Sequence, residues 1–233
     1  MRRDPCFHIA VLPGDGIGPE VVGACLQVLD VLRERLGGLT FDFHHLEGGA
    51  AHYQRTGIAF SPESLDECKQ ADAVLFGAIG LPDVRYPDGT EIATHFDLRA
   101  AMDLYAGLRP IRSYPGLPRV LIDKRAARID LVLIREQSEG LLQPRQRGTV
   151  EEDSIARETM TISRTGSRRI AEFAFHVATR RARNRRRPGR VLCVDKANAL
   201  VSMAFFRKLF DEVAAAHPET QAAHAYVDAT AMN

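Results

Sequence analysis

VLCVDKAN, residues 191–198, runs from four apolar residues into Asp195, Lys196 and Asn198. Where such runs alternate with helical patterns, a short apolar run reads as a strand buried on both faces. The polar trio then falls at the strand's carboxyl end, the edge at which open α/β sheets place their ligands. A lysine there is a candidate acid or base. The competing reading is a lysine tied to a neighbouring aspartate with no chemical task.

The rest of the composition narrows the setting. At 233 residues, 45% of them hydrophobic and 26% charged, the chain has the make-up of an ordinary globular protein of one large or two small domains. Its 31 Lys and Arg against 30 Asp and Glu leave no global charge to attract nucleic acid or a membrane. Cys6, Cys25, Cys68 and Cys193 are too widely spread for a zinc or redox motif and read as free thiols in a reducing cytosol. The opening MRRDPCFHIAVLPGDG has basic residues and a short apolar run, but Pro13 and Gly14 cut it too early for a signal peptide or membrane span. A cytoplasmic location is expected.

Working outward from 191–198, the pattern alternates strands and helices. His8 to Leu12 reads as a strand, PGDGIGPE at 13–20 as a glycine turn, and Val21, Cys25, Val28, Leu32 and Leu36 as one face of a helix ended by Gly37 and Gly38. Glycines at 14, 16 and 18 lack the dinucleotide-binding spacing, so the turn reads as structural. Phe41 and Phe43 mark a second strand, Ser61 and Pro62 open a helix to about Ala71, and Ala73 to Phe76 form a third strand. This order predicts a mainly parallel sheet covered on both faces, followed by a long loop at 77–91.

HFDLRAAMDLYAGLRP, 95–110, reads as a helix capped by Asp97 and closed by Gly107, with Arg99 in the first turn and Arg109 just past the end. A cation in the first turn opposes the helix dipole, which favours an anionic ligand as its partner. Along a helix the two arginines would stand roughly 15 Å apart, a span two such side chains can close around a polyanion. A strand at Ile129 to Ile134 delivers Arg135 and Glu136, and three arginines at element ends favour a carboxylate or phosphate site. From Gly148 to Ser163 the pattern loosens, and Thr159, Thr161 and Ser163 alternate with Met160 and Ile162 as in a β-hairpin or projecting arm, after which Ser167 caps a helix to about Arg183. The seven arginines of RRARNRRRPGR at 180–190 read as a solvated connector rather than a nucleic-acid surface. Leu200 to Ala216 is the last full helix, and Ala223 to Val227 the last strand, ending in Asp228.

Together these segments resemble the β-decarboxylating dehydrogenases, which include isopropylmalate, isocitrate and tartrate dehydrogenases. The matching stretches are PGDGIGPEV at 13–21, LR at 98–99, LRP at 108–110, IREQSEG at 134–140, VDKAN at 194–198 and YVDATAM at 226–232, and the wording leans towards the isopropylmalate and tartrate side. The resemblance implies an α/β, isopropylmalate dehydrogenase-like two-domain α/β/α fold. Residues 1–104 would belong to the first, cofactor-side domain, and 105–233 to the second, with its arm and dimer-interface elements. It also implies NAD-dependent oxidation of a 2-hydroxy di- or tricarboxylate, with Mg or Mn and usually with loss of the β-carboxylate.

In this reading Arg99, Arg109 and Arg135 bind substrate carboxylates, and Lys196 helps to remove the hydroxyl proton. Asn198 contacts substrate or nicotinamide, and Asp228 is the first of three metal-binding aspartates. A homodimer lends Lys196 and Asp228 to the partner's site, and neither nucleic acid nor membrane is a partner.

Three departures accompany the resemblance. The family pattern continues beyond Asn233 through two more metal aspartates and the main NAD loop, so the sequence reads as a fragment, incomplete at the C-terminus. His95 and Phe96 stand where the family reads the substrate's variable group, and they suit a small polar or hydroxylated substituent rather than an isopropyl one. The family's proton-donating tyrosine, seven residues beyond the IRE arginine, is replaced by Leu142. These departures sustain an alternative reading as a non-catalytic regulatory subunit or inactive relic. In a version carrying the complete metal and NAD sites, Leu142→Tyr is expected to raise the ratio of decarboxylated to merely oxidised product. An unchanged ratio, read by chromatography of the products, would count against a role for this position.

Overall fold

The computed structural model describes residues 5–118, 121–141 and 148–232, and the chain divides into two units, Met1–Met102 and Asp103–Asn233. In the first unit, β1 (Cys6–Gly14), β2 (Thr40–His45) and β3 (Ala73–Ala78) form a parallel sheet in the order β2-β1-β3. Its helices are α1 (Gly18–Leu36), α2 (Ala50–Thr56), α3 (Pro62–Gln70) and α4 (Thr94–Ala101). Prolines in the first turns of α1 and α3 cost no hydrogen bond there. The Ser61 hydroxyl caps α3 by accepting from the Ser64 amide at 3.1 Å. Ala10, Leu12, Cys68 and Leu98 form the buried core, joined by Leu46, Phe60, Val74 and Phe76.

The glycine turn after β1 is held from within. Asp15, 2% exposed, accepts the amides of Ala50 at 2.7 Å, Ala51 at 2.8 Å and Gly80 at 2.7 Å, so one carboxylate caps the start of α2 and ties down the segment after β3. Glycine is required around it. A Cβ on Gly14, at φ +76°, would lie 2.0 Å from the Ala78 carbonyl oxygen, and one on Gly49 would lie 2.5 Å from the Asp15 carboxylate. Helix α2 had no sequence signal, because its cap lies 35 residues upstream.

The second unit holds the antiparallel pair β4 (Ala106–Arg112) and β5 (Asp130–Glu136), the antiparallel hairpin β6 (Thr149–Glu151) and β7 (Ile155–Arg157), and the parallel pair β8 (Gly189–Asp195) and β9 (Thr220–Tyr226). Its helices are α5 (Arg164–Arg185), α6 (Val201–Ala214) and α7 (Val227–Met232), with a 3-10 turn at Lys124–Arg128. Ala171 and Phe175 of α5, Cys193 of β8, and Phe210 and Val213 of α6 make its core, with the Phe175 and Phe210 rings 5.4 Å apart.

Several expectations are corrected. No helix runs from Asp97 to Gly107. α4 ends at Ala101, Asp103 takes a positive φ of 46°, and Gly107 is already in β4, because pairing with β5 outweighs local helix propensity. The expected parallel sheet is found in the first unit, whereas the second unit mixes parallel and antiparallel pairs. β8 is not buried on both faces: Cys193 and Asp195 point inward, whereas Leu192 and Val194 are 42% and 40% exposed. The hairpin lies at 149–157, before the alternating Thr159 to Ser163, of which Thr161 makes only an isolated bridge to Gly140.

Helix α5 is capped by Ser163, not Ser167. The Ser163 hydroxyl accepts from the Gly166 amide at 3.0 Å, while Ser167, 1% exposed, donates back to the Ser163 carbonyl at 2.7 Å. The arginine run is mostly the end of α5, and Arg181 and Arg185 both grip Asp130 at the start of β5. Among the described residues, no helix is long and apolar enough to cross a membrane.

Asp15→Ala leaves three backbone donors without their acceptor. It is expected to lower the unfolding free energy by about 3 kcal/mol or more, read by urea denaturation.

Candidate functional site

The carboxyl end of β8 separates two neighbouring charged residues. Alternation along the strand turns Asp195 inward to 2% exposure, where Arg207 of α6 binds it through Nε at 2.8 Å and through a second guanidinium nitrogen at 2.7 Å. The Ala197 amide adds a third bond at 2.8 Å, and the Cys193 thiol approaches at 3.4 Å. Burial pushes the Asp195 carboxyl up, but the hydrogen bonds from Arg207, Ala197 and Cys193 more than offset it and hold the group below the usual carboxylate range. Burial, and then the charge of Asp195, push the Cys193 thiol up to about 12, so it is inert. The Arg207 guanidinium also stands 5.0 Å over the Tyr226 ring of β9.

Lys196, the next residue, meets Asp228 at 2.8 Å. The pairing explains how: Asp195 is opposite Tyr226 in the parallel β8–β9 ladder, so both strands release their following residues at one edge. Asp228 lies in the first turn of α7 rather than at the end of a strand. The hydrogen bond from Lys196 holds its carboxyl below the usual range. Asn198 is exposed in the turn that follows Lys196, closed by the amides of Ala199 and Leu200 on the Lys196 carbonyl at 3.0 Å each. Lys196, Asn198 and Asp228 therefore share the carboxyl edge of this sheet.

Arg109 and Arg135 form a second group. In the β4–β5 ladder Arg109 is opposite Leu133 and Arg135 is opposite Gly107, which sets the two arginines on one face as diagonal neighbours. Both are exposed. Arg109 is thus inside a strand and not beyond a helix end. The turn after β5 is stitched by residues that sequence reasoning did not single out. Glu136 accepts the amides of Ser138 and Glu139 at 2.9 and 2.8 Å, and the Ser138 hydroxyl as well. Arg169 of α5 donates to Ser138 at 2.7 Å and to Asp103 at 2.8 and 3.0 Å, and sits 4.3 Å over the Tyr105 ring. Glu139 accepts the Ser163 amide at 2.7 Å and the Ser163 hydroxyl. The partners of Arg169 and the Glu139–Ser163 pair lie 24 to 66 residues apart and share no local spacing signal.

His95, Phe96 and Arg99 sit together on α4 in the first unit. The His95 and Phe96 rings are 4.3 Å apart, and the Arg99 guanidinium is 5.6 Å from the Phe96 centroid. Arg99 is in the last turn of its helix, where the dipole favours a cation, so the first-turn argument for an anionic partner does not hold. Burial, then the charge of Arg99, lower the His95 pKa below 6.5 against a smaller opposing effect of Glu91. Leu142 lies outside the described residues.

The donor sets discriminate between cofactors. Mg and Mn require several oxygen ligands, and Asp228 offers one carboxylate already engaged by Lys196, so this edge alone does not complete a metal site. Among the described residues, the three-residue set with metal-ligand spacing is His8, Asp42 and His44 of the first unit.

An α/β fold carrying these motifs at these strand ends defines the β-decarboxylating dehydrogenase class, and comparison with known proteins agrees. Residues 8–233 match the family model for isocitrate/isopropylmalate dehydrogenase. The 3-isopropylmalate dehydrogenase of Thermotoga maritima is 40% identical over 97% of this chain and 63% of its own length; that of Escherichia coli K12 is 37% identical over 97% and 62%. The solved isocitrate dehydrogenase from Methylococcus capsulatus superposes with a TM-score of 0.79 at 27% identity, covering 97% of this chain and 62% of that one. The beta-decarboxylating dehydrogenase from Thermococcus kodakarensis does so with 0.71 at 34%, covering 97% and 59%. The chain belongs to the isocitrate/isopropylmalate dehydrogenase family, and it spans about 63% of the length of the curated relatives it matches.

Because the folded pKa of His95 lies below its unfolded value, its contribution to stability is complete above 6.5 and is lost as pH falls through the folded pKa. NMR titration of the His95 ring is expected to give a midpoint below 6.5, and His95→Gln to remove that part of the pH dependence of unfolding.

Proposed function

We propose that this chain serves the NAD-dependent oxidation of a 2-hydroxy di- or tricarboxylic acid of the malate, isopropylmalate or tartrate type, with a divalent metal and with decarboxylation of the product. The observation that carries the proposal is the 2.8 Å contact of Lys196 with Asp228 at the joint carboxyl edge of β8 and β9. That edge is where α/β sheets place ligands, and a lysine there is matched to a hydroxyl proton.

In the proposed reaction NAD supplies the hydride acceptor. Lys196 would help to remove the hydroxyl proton, passing it on to solvent, as the carbinol hydrogen leaves as hydride to NAD and the alcohol becomes a 2-keto acid. Arg109 and Arg135, side by side on one face of β4–β5, bind one carboxylate of the substrate, and Arg99 binds another. A guanidinium fork suits this task because it meets both oxygens of a carboxylate. His95 and Phe96 contact the variable group, and the lowered pKa of His95 leaves a neutral imidazole that both donates to and accepts from a hydroxylated substituent. Asn198, beside Lys196 in sequence, orients the substrate or the nicotinamide. Asp228 would offer its second oxygen to Mg or Mn, which would make the substrate hydroxyl more acidic. The active form proposed is a cytoplasmic homodimer whose subunits exchange Lys196 and Asp228.

The test is NADH formation with malate, tartrate, isopropylmalate and isocitrate in the presence of Mg or Mn. Lys196→Met is expected to lower kcat by about 100-fold or more with KM little changed, whereas Arg135→Gln is expected to act mainly on KM. No turnover with any of the four acids would overturn the proposal for this chain.

A further inference from the structure

The first unit carries a cluster of imidazoles and carboxylates that the proposed dehydrogenase chemistry does not use. His8 is opposite Asp42 in the parallel β1–β2 ladder and Ala10 is opposite His44. Residues two apart on a strand share a face, so His8, Asp42 and His44 emerge together. Their ligand atoms lie within 4.8 Å of one another. Glu67 of α3 reaches the same group, with one carboxylate oxygen 2.8 Å from His8 Nε2 and 2.9 Å from His44 Nδ1. On its other side His44 Nε2 stands 3.0 Å from Asp42, and the two imidazole rings stack at 3.9 Å.

Counting donors shows that this cluster calls for a positive charge. A neutral imidazole carries one N–H and one lone pair, yet His44 has a carboxylate within 3.0 Å of each ring nitrogen. One of the two carboxylates therefore faces a lone pair unless a positive charge intervenes. In the ion-free protein a proton on His44 supplies it, and the hydrogen bond with Asp42 raises the His44 pKa. A metal ion would supply the same charge: His44 Nδ1–H donates to Glu67 while Nε2 turns its lone pair to the ion, which Asp42 and His8 also bind. A carboxylate behind a ligating histidine is the usual way in which a metal-binding imidazole is oriented.

We propose that His8, Asp42 and His44 form a binding site for a divalent transition ion, represented by Zn2+, with Glu67 holding His44 in position. Two imidazoles and one carboxylate select such an ion over Mg or Ca, which prefer all-oxygen sites. Bonds of about 2.0–2.1 Å require the ligand atoms to close to about 3.3 Å in a tetrahedral site. The required contraction is open to side chains that are 34% (His8), 58% (Asp42) and 40% (His44) exposed, and the fourth position is left for water. The ion would strap β1 to β2 and, through Glu67, to α3.

The test titrates the protein with Zn2+ against a chromogenic chelator, in a Cys6→Ser background that keeps the exposed thiol from scavenging the ion. One equivalent per chain is expected, with a rise in Tm on saturation and no competition from Mg2+. His8→Ala and His44→Ala are each expected to weaken binding by at least about tenfold, and Glu67→Gln by about 10- to 100-fold. Circular dichroism checks that each variant is folded. If an alanine variant unfolds, Asp42→Asn and His44→Gln take its place in the comparison. Absence of stoichiometric binding, or equal affinity in a folded variant lacking both histidines, would overturn the proposal.

Discussion

The inward turn of Asp195 and its two-pronged capture by Arg207 are the constraint on which the candidate edge depends. A carboxylate at 2% exposure is tolerated only when its oxygens are met by donors. Those donors come from α6, from the backbone of the turn after the strand and from the Cys193 thiol. Satisfying Asp195 fixes α6 against β8. It also fixes the path of the chain, because strand alternation then leaves Lys196 with nowhere to go but the open edge. Arg207 extends the constraint to β9 by lying over Tyr226, the residue paired with Asp195. Asp228, two residues on, is thereby brought to Lys196.

Asp15 plays the corresponding part in the first unit. It serves as a cap for α2 and an anchor for the segment after β3, from a turn whose glycines resemble a phosphate loop in composition. In both units, then, a buried carboxylate gathers backbone or guanidinium donors and sets the geometry of a strand's carboxyl end. Glu136 and Glu139 repeat the device on a smaller scale in the turn after β5, where their acceptors hold the amides of the IREQSEG turn and of the α5 cap. Asp15, Asp195, Glu136 and Glu139 are structural, whereas Arg135 beside Glu136 is exposed and Lys196 beside Asp195 pairs with Asp228.

The candidate residues gather unevenly. Lys196 and Asp228 are in direct contact, Arg109 and Arg135 share a sheet face, and His95, Phe96 and Arg99 share a helix. Of the readings first open for Lys196, the observed contact is that of a lysine paired with an aspartate. The partner, however, is Asp228 and not the adjacent Asp195, and it comes from the neighbouring strand. Pairing of this kind positions an ammonium at a strand end without spending it on the core.

What the sequence determined by itself was the alternation of strands and helices in the first unit, the proline starts of α1 and α3, and the membership of Lys196, Asp228 and the arginines in recognisable motifs. These depend on periodicity and short spacings, which a linear chain displays openly. The tertiary structure alone decided that 102–107 leaves the helix for a strand paired with β5, that Ser163 rather than Ser167 begins α5, and that Arg169 and Arg207 are the guanidiniums holding the motifs in place. The strand pair and the two guanidiniums depend on partners 12 to 66 residues away, and Ser163 is in addition held by Glu139, 24 residues upstream. The energy of a strand pair or a buried ion pair belongs to two segments at once, so neither segment carries its signal alone.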